Sequence, residues 1–423
     1  MDQGNTGFLL ICSALVLLMT PGLAFFYGGL VKAKSVISMM MLSFGAMGLI
    51  GMLWVLYGYA ISFSNAGVGN FIGIPHVLGI DLSQLGLQAA FAEAVDGKVT
   101  AAYPTLAFAS FQATFAIITV ALISGAIADR AKFGAWMVFA GIWATVVYFP
   151  VASWVFNFTT VKGQITDGGW IAYLIGAKDF AGGTAVHINA GAAALALALV
   201  LGKRANFAKG VHTPHNPPFV LLGAGLLWFG WFGFNAGSEL AADGIAAIAF
   251  LNTIAAPAAG VLGWLLIEKI RDGKPTSVGA ASGAVAGLVA ITPACNILSP
   301  FWAIVLGLIT GAICAVAIDL KYKLGFDDSL DVVGVHLVGG LIGTLFIGLV
   351  GNNVGLFFNF GPLQLGKQAV AAFAVLIYSF GLTWIIGTVI QKTMGFRINN
   401  EDEIAGIDTA MHGEEGYVLA DMR

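Results

Sequence analysis

Two related octets decide the fold of this chain: Thr184-Ala-Val-His-Ile-Asn-Ala-Gly191 and Val333-Gly-Val-His-Leu-Val-Gly-Gly340. Both lie in apolar stretches, and they share Val-His, a following aliphatic residue and a final glycine. An aspartate precedes each histidine by eight residues, at Asp179 and Asp328. Titratable groups are costly inside membrane-spanning helices, so their recurrence is informative. The pattern predicts two copies of one structural unit, each with a histidine deep in a helix.

The composition is typical of a membrane protein. The 423 residues include 19 Lys and Arg and 22 Asp and Glu, so charged side chains make up 10%, against about 25% in an ordinary soluble domain. Hydrophobic residues make up 58%, and so few charges could not cover the surface of a soluble globule. The net charge of −3, without a basic patch, argues against a nucleic-acid partner. Three cysteines cannot form a disulfide framework.

Eleven apolar stretches are long enough to cross a bilayer as helices, which takes about 20 residues each. They are 7–31, 36–63, 104–128, 134–157, 182–202, 217–237, 244–268, 277–295, 300–320, 332–351 and 366–391. No alternating pattern of barrel strands recurs, which leaves helices as the spanning structure. The eighth stretch is the least hydrophobic. The predicted fold class is therefore all-α, a polytopic membrane protein with eleven transmembrane helices.

The basic residues predict the orientation. With the N-terminus outside, fifteen Lys and Arg side chains fall in cytoplasmic loops and the tail, and four fall outside. This is the bias expected from the positive-inside rule. Residues 1–391 then form one membrane domain that closes with helix 366–391, and residues 392–423 form a short cytoplasmic tail.

The two octets predict an inverted repeat. The halves cover approximately 7–202 and 217–351, with five helices each. Because five is odd, the halves have opposite topology, as in many transporters. A pseudo-two-fold axis in the membrane plane would then bring His187 and His336 together near the centre of the bilayer.

Three roles are open for these histidines. They could be core residues whose ring nitrogens bond each other or a backbone carbonyl. They could ligate a haem, although the second haem and the basic propionate partners usual in such membrane proteins have no counterpart here. They could be polar points on a solute path, because neutral imidazole donates and accepts hydrogen bonds and titrates near neutral pH.

Other aromatic and polar residues favour the third role, a path for a solute. Phe111 and Phe115 are spaced i, i+4 and share one helix face, which is also common in plain helix packing. The segment 228–238 alternates aromatic rings with glycines and ends in a hydroxyl. Rings there could form an interfacial belt or hold a small cation by about 0.5–2 kcal/mol. Asp179 precedes a predicted helix as an N-cap, and its charge would also favour a nearby cation.

At these residues the sequence closely resembles the ammonium transporter family (Amt/Mep/Rh). The matching strings span almost the whole chain: Pro21-Gly-Leu-Ala-Phe-Phe-Tyr-Gly-Gly-Leu-Val31, Phe111-Gln-Ala-Thr-Phe-Ala-Ile-Ile-Thr119, Asp179-Phe-Ala-Gly-Gly-Thr-Ala-Val-His187, Gly230-Trp-Phe-Gly-Phe-Asn-Ala-Gly-Ser238, Gly287-Leu-Val-Ala-Ile-Thr-Pro-Ala-Cys295, Val335-His-Leu-Val-Gly-Gly340, and Asp408 with His412-Gly-Glu414. The Asp-Phe-Ala-Gly-Gly string with its histidine is highly specific.

The resemblance implies a homotrimer of eleven-helix subunits, each with its own narrow hydrophobic pore. It also assigns roles by position: His187 and His336 as twin pore histidines, Phe111 and Phe115 as a stacked gate, Trp231 and Ser238 as outer-vestibule residues, Thr292 as a pore-facing hydroxyl and Asp179 as the aspartate that organises the site. Bacterial members often bind a PII-type nitrogen-regulatory protein at the cytoplasmic face, and nothing in these loops decides whether this chain does.

One position departs from the family. A tryptophan is usual at the outer recruitment site, and the aligned string here is Ser153-Trp-Val-Phe156. If Trp154 is the packing residue, Phe156 takes the cation-facing place with a poorer π donor. The change is expected to affect the affinity for external ammonium rather than transport itself.

The expected activity is electrogenic ammonium uptake across the cell membrane, with methylammonium as an analogue. Bare ammonium at mid-membrane would cost at least about 2.5 kcal/mol, so we expect proton loss near the phenylalanines, passage of ammonia along the histidines and separate proton transfer. The alternatives are electroneutral conduction of ammonia or carbon dioxide, and a sensor that signals through a soluble partner. No nucleophile–base pair, metal-ligand cluster or phosphate loop appears, so no enzyme activity, cofactor or metal is expected.

Overall fold

The computed structural model describes residues 1–63, 79–161, 164–205, 207, 213–358 and 360–417. In chain order the helices are α1 (Gln3–Leu30), α2 (Ala33–Ser62), α3 (Gln88–Val95), α4 (Thr105–Ile127), α5 (Phe133–Phe156), α6 (Gly183–Leu201), α7 (Pro217–Gly237), α8 (Gly244–Arg271), α9 (Ser277–Ile291), α10 (Pro300–Leu324), α11 (Val333–Val350), α12 (Leu363–Thr393), α13 (Asn400–Ala405) and α14 (Ile407–His412). Strands β1 (Phe158–Val161) and β2 (Gln164–Gly168) form an antiparallel hairpin after α5.

Within these ranges, ten helices are long and apolar enough to cross a membrane, as a multi-pass helical fold requires. Helix α9 is apolar but has only 15 residues, whereas a crossing takes about 20. It ends before Thr292-Pro293, because proline lacks the N–H that would continue the helix. It coincides with the eighth predicted stretch, 277–295, so the number of eleven crossings stays a prediction.

The two histidines lie in corresponding irregular turns. Helix α6 begins with a π-helical turn, Gly183–Ile188, that contains His187. Helix α11 begins with another, Val333–Leu337, that contains His336. Such turns occur mainly as single turns within α-helices and are frequent at functional sites. Hydropathy predicts the helices but carries no signal for this change of hydrogen-bond register.

An aspartate fixes the start of each of these helices. The carboxylate of Asp179 accepts hydrogen bonds from the backbone N–H groups of residues 182–185, over 2.6–3.1 Å. The carboxylate of Asp328 accepts one from the N–H of Val333 at 2.7 Å. The first N–H groups of a helix have no partner within the helix. The two aspartates therefore supply the acceptors that helix starts inside the bundle need.

Helices α6 and α11 pack closely because each has a glycine four residues after its histidine. A Cβ atom on Gly191 would lie 2.5 Å from the backbone nitrogen of Leu337. A Cβ atom on Gly340 would lie 3.1 Å from the carbonyl oxygen of Gly183. Small residues permit such close approach of helix backbones. The two glycines thus set how near the histidine rings come.

Charged side chains are buried at the end of the bundle where α6 stops and α11 starts. Arg204 lies 2.9 Å from Asp327 and 3.1 Å from Asp129, and Arg130 lies 3.8 Å from Asp327. Burial alone would raise the pKa of Asp327, but the hydrogen bonds and charges of the two arginines outweigh it and lower that pKa. The network joins the loops that follow α4 and α6 to the loop before α11.

The C-terminal tail packs against the same end. Asp408 in α14 accepts hydrogen bonds from the backbone N–H groups of Ile37 and Ser38 at 3.0 and 2.7 Å. Glu403 in α13 accepts one from the N–H of Ala205 at 2.7 Å. The tail therefore contacts the first turns of α2 and the loop that follows α6. These contacts join residues far apart in the chain, which is why local sequence patterns did not predict them.

Replacing Gly191 with alanine is expected to force α6 and α11 apart, because the new Cβ would overlap main-chain atoms. Overpacking of this kind costs about 1–3 kcal/mol, so the purified protein should unfold at a lower temperature. Gly225→Ala in α7 is the matched control, since a Cβ there meets nothing within 4 Å. Equal unfolding temperatures for the two variants would contradict the close packing described above.

Candidate functional site

The two histidine rings meet inside the bundle. Nδ1 of His187 lies 3.2 Å from Nδ1 of His336, and the ring planes differ by 20°. Both side chains are almost completely buried. In a pair of neutral rings one Nδ1 carries the hydrogen and the other accepts it. Consequently one Nε2 atom is a donor and the other is an acceptor.

The contact between the two rings argues against one of the roles considered for the histidines. Axial ligation of a haem places the iron and its macrocycle between the two ligands, for which a separation of 3.2 Å leaves no room. Among the described residues there is also no group of three or more His, Cys, Asp or Glu side chains that could hold a metal ion. The geometry fits a direct N–H···N hydrogen bond.

A narrow cavity borders both histidines and has room for about one water-sized molecule. Its wall consists of side chains from six helices: Met19, Leu23, Phe26, Ile118, Leu122, Val186, His187, Leu227, Trp231, Phe234, Val285 and His336. Apart from the imidazoles and one indole, these side chains are apolar. A bare ion in this space would lose its water without gaining oxygen ligands from the wall.

One polar atom of the wall has no partner. Nε2 of His187 is buried and makes no hydrogen bond to any part of the chain that the structure describes. A buried polar atom without a partner costs about 1–3 kcal/mol. This nitrogen is therefore the position at which a small hydrogen-bonding molecule would be held.

Phenylalanine rings extend from the cavity in a continuous series of contacts. The ring centroids of Phe115 and Phe234 are 4.1 Å apart and nearly parallel. Phe111 packs on Phe115 at 4.8 Å, and Phe156 lies 6.3 Å from Phe115. The structure thus brings together the two predicted gate residues and the predicted recruitment residue Phe156.

Trp231 does not lie where the sequence analysis expected it. Its ring stacks on His187, with centroids 5.4 Å apart and planes 20° apart, and it is buried beside the cavity rather than at an outer vestibule with Ser238. The reason is helix geometry, because seven residues separate these two positions and rise about 10 Å along α7. Phe234 lies between them on the same face. That i, i+3 and i, i+4 spacing was the signal by which Phe234 could have been found.

The hydroxyl of Thr292 holds the Trp231 ring in place. The indole N–H donates to this hydroxyl at 2.8 Å, and the hydroxyl donates to the carbonyl of Leu288 at 2.8 Å. The sequence analysis expected a pore-facing hydroxyl at this position. In the structure its donor and one acceptor position are occupied, which makes Thr292 a positioning residue for the ring on His187.

The carboxylate of Asp179 is also fully occupied. Besides the four backbone N–H groups at residues 182–185, it accepts a hydrogen bond from the hydroxyl of Thr184. A carboxylate has about four lone-pair sites. Asp179 therefore organises the start of α6, and with it His187, and has no free acceptor for a ligand.

The remaining predicted residues lie near the end of α5 and α7. Trp154 is buried against the rings of Trp170 and Tyr378, at 5.5 and 4.6 Å. Phe156 is partly exposed and faces Phe115. The hydroxyl of Ser238 donates to the carbonyl of Phe234 at 2.8 Å. Trp154 thus occupies a packing position, and Phe156 is the ring of the 153–156 string that faces Phe115.

Comparison with known proteins identifies the family. A model described as Ammonium Transporter Family matches residues 7–417. The chain belongs to the ammonium transporter family. It is 54% identical to an ammonium transporter of Mycobacterium bovis over 99% of this chain and 91% of that protein.

Two solved structures of the family are similar over nearly the full length. One is Mep2 of Saccharomyces cerevisiae, with a TM-score of 0.83, 32% identity and coverage of 100% of this chain and 93% of that one. The other is titled Sensor Amt Protein, with a TM-score of 0.86, 27% identity and coverage of 97% and 98%. The chain is therefore a multi-pass membrane protein with the helical fold of this transporter family.

Replacing Thr292 with valine should destabilise the protein by about 1–3 kcal/mol, because it leaves the buried indole N–H of Trp231 without an acceptor. Combining it with Trp231→Phe removes the donor as well, so the double variant should lose less stability than the sum of the two single changes. Thermal unfolding of the four proteins in a double-mutant cycle measures this coupling. Additive losses would show that the hydrogen bond does not hold the ring.

Proposed function

We propose that the chain transports ammonium and conducts it through the cavity as ammonia. Membership of the family supports the substrate, and the meeting of His187 and His336 in an apolar cavity carries the mechanism. Burying a charge at the centre of a membrane costs about 2.5 kcal/mol or more. Neutral ammonia avoids that cost and both donates and accepts hydrogen bonds. It therefore suits a wall in which Nε2 of His187 is a buried polar atom without a partner among the described residues.

The entry route follows the aromatic rings. Ammonium is recruited outside beside Phe156 and Ser238. Next to Phe115 and Phe111 it transfers its proton to a water molecule, which passes the proton on to the accepting Nε2 of the histidine pair. Ammonia then passes Phe234 and reaches the histidines. Potassium is excluded, because it has no proton to give up and the cavity wall offers no ring of carbonyl oxygens to replace its water.

The proton follows separately, which makes transport electrogenic. A proton that arrives at the accepting Nε2 of one imidazole releases the proton on its Nδ1 to the neighbouring Nδ1. The second ring then releases a proton from its own Nε2. The transfer between the two rings uses the contact of 3.2 Å between their Nδ1 atoms. Each passage exchanges the two tautomers, so the pair must reset before the next proton.

The topology we propose is eleven crossings with an inverted repeat of five helices. Three matched features of α6 and α11 support it: a π-helical turn around the histidine, an aspartate that caps the helix start, and a glycine four residues after the histidine. The N-terminus is outside and the tail is cytoplasmic, by the distribution of basic residues. The end with Asp179 is then the outer end.

Assembly and partners rest on the family resemblance. We infer a homotrimer in the cell membrane for nitrogen uptake, with one pore in each subunit, and methylammonium as an analogue of the substrate. A PII-type regulatory protein would bind the cytoplasmic face, where the tail packs against the first turns of α2 and the loop after α6. The protein has no enzymatic role in this proposal and uses no cofactor.

Current measured on proteoliposomes adsorbed to a solid support tests electrogenic transport. Ammonium and methylammonium should evoke current, and potassium at equal concentration should not. Ammonia flux without current would instead favour electroneutral conduction. Absence of both would favour a sensor, the role that the name of one solved neighbour, Sensor Amt Protein, suggests for that protein.

The double variant His187→Ala, His336→Ala tests the role of the pair. Loss of both imidazoles removes the proton relay, so the ammonium current should fall to background or be replaced by leakage of ions, including potassium. His215→Ala is a suitable control because that imidazole bonds Tyr417 and the carbonyl of Val31 and does not line the cavity. A double variant with normal ammonium current and full exclusion of potassium would refute the relay.

A further inference from the structure

Glu239 lies two residues beyond the end of α7, and its carboxylate has no partner among the residues that the structure describes. Glu239 follows Ser238, and its backbone N–H donates to the carbonyl of Ala236 at 3.2 Å, so it continues the last turn of α7. The side chain is half-buried, and no hydrogen bond or ion pair joins its carboxylate to another described residue. A half-buried carboxylate without a cation is costly to keep.

The position of Glu239 is fixed relative to the phenylalanine pair. Two residues earlier, Gly237 packs against Phe111, and a Cβ atom on that glycine would lie 2.8 Å from the ring. The N–H of Leu240 donates back to the carbonyl of Gly237 at 2.9 Å, which closes the turn around Glu239. The backbone of Glu239 is thus held within one helical turn of Gly237, the residue that contacts the proposed gate.

The surroundings of Glu239 are negative. The C-terminal end of a helix carries a partial negative charge, and the nearby charged group is Asp243, the N-cap of α8. Burial, and to a lesser degree the charge of Asp243, raise the pKa of Glu239 to about 7. No basic side chain contributes to this shift. The site therefore favours a cation that the described chain itself does not supply.

Asp179 cannot take that role. Its oxygens accept hydrogen bonds from the backbone of residues 182–185 and from the hydroxyl of Thr184. The carboxylate therefore stabilises the start of α6 and has no free acceptor position. Glu239 makes no comparable contacts. Of these two carboxylates near the proposed outer end, only Glu239 is free to attract a ligand.

Resting on the ammonium transport proposed above, we propose that Glu239 is the anionic recruitment residue of the outer mouth. It attracts ammonium by charge and delivers it to the rings of Phe156 and Phe115. The phenylalanine at position 156 offers a weaker cation–π interaction than the tryptophan usual in the family. A carboxylate at the end of α7 compensates for that loss. Glu239 is a specificity-determining residue, because the field of a carboxylate favours ammonium over neutral amines.

Glu239→Gln removes the charge and keeps the shape of the side chain. At pH 8 we expect the KM for ammonium-evoked current to rise about fivefold, the equivalent of roughly 1 kcal/mol, with the maximal current unchanged. Glu93→Gln in α3 is the matched control for a general change of surface charge, and its KM should remain at the wild-type value. Glu239→Asp, which keeps the charge on a shorter side chain, should restore at least part of the affinity.

The pH dependence gives a second readout that a structural role would not move. With the ammonium concentration held constant, the KM of the wild type should fall as pH rises through about 7, because Glu239 becomes charged there. The KM of Glu239→Gln should lack this step. An unchanged KM and pH profile in that variant, or an equal rise in Glu93→Gln, would overturn the inference. If the wild type itself gives no ammonium-evoked current or flux, transport fails as the function, independently of Glu239.

Discussion

The hydrogen bond between His187 and His336 is the constraint on which the rest of the structure depends. Two rings can share one proton only if two helix backbones approach far more closely than branched side chains allow. Gly191 and Gly340 permit that approach, and the aspartate before each helix fixes where the helix begins. A shift of either helix along its axis would separate the two Nδ1 atoms. Two buried imidazoles would then lack a partner, at about 1–3 kcal/mol each.

Charge is kept away from this contact throughout the bundle. The carboxylate of Asp179 accepts hydrogen bonds from backbone N–H groups. At the opposite end, Arg130 and Arg204 are paired with Asp327 and Asp129. The middle of the cavity holds only neutral rings and hydrocarbon. In the transport proposed above, this distribution would let the wall select its substrate without carrying a charge. It would stabilise a neutral molecule with hydrogen-bonding capacity and offer nothing to an ion that cannot lose its charge.

Much of the fold could be predicted from the sequence. The length of the apolar stretches and the charged residues between them determine where helices cross a membrane. The paired octets likewise indicated two histidine helices of one kind. Other features depend on tertiary geometry that a linear pattern does not carry. The π-helical turns, the docking of Asp408 on α2 and the placement of Trp231 against His187 are of this type. Trp231 was misplaced because a resemblance aligned it with the vestibule, whereas the rise of α7 puts it about two turns deeper.

In the transport that we propose, the outer end combines two ways of attracting a cation, and the two respond differently to acidity and salt. The face of Phe156 carries a fixed quadrupole, so its attraction is weak and does not depend on pH. The carboxylate of Glu239 carries a full charge, but only when ionised, and salt screens it because the site is half exposed. Exchanging tryptophan for phenylalanine therefore moves recruitment from an interaction insensitive to acidity to one that weakens as the outside becomes acidic. Because the carboxylate precedes the rings and the histidines, this sensitivity would act on substrate capture and leave the neutral part of the path unchanged.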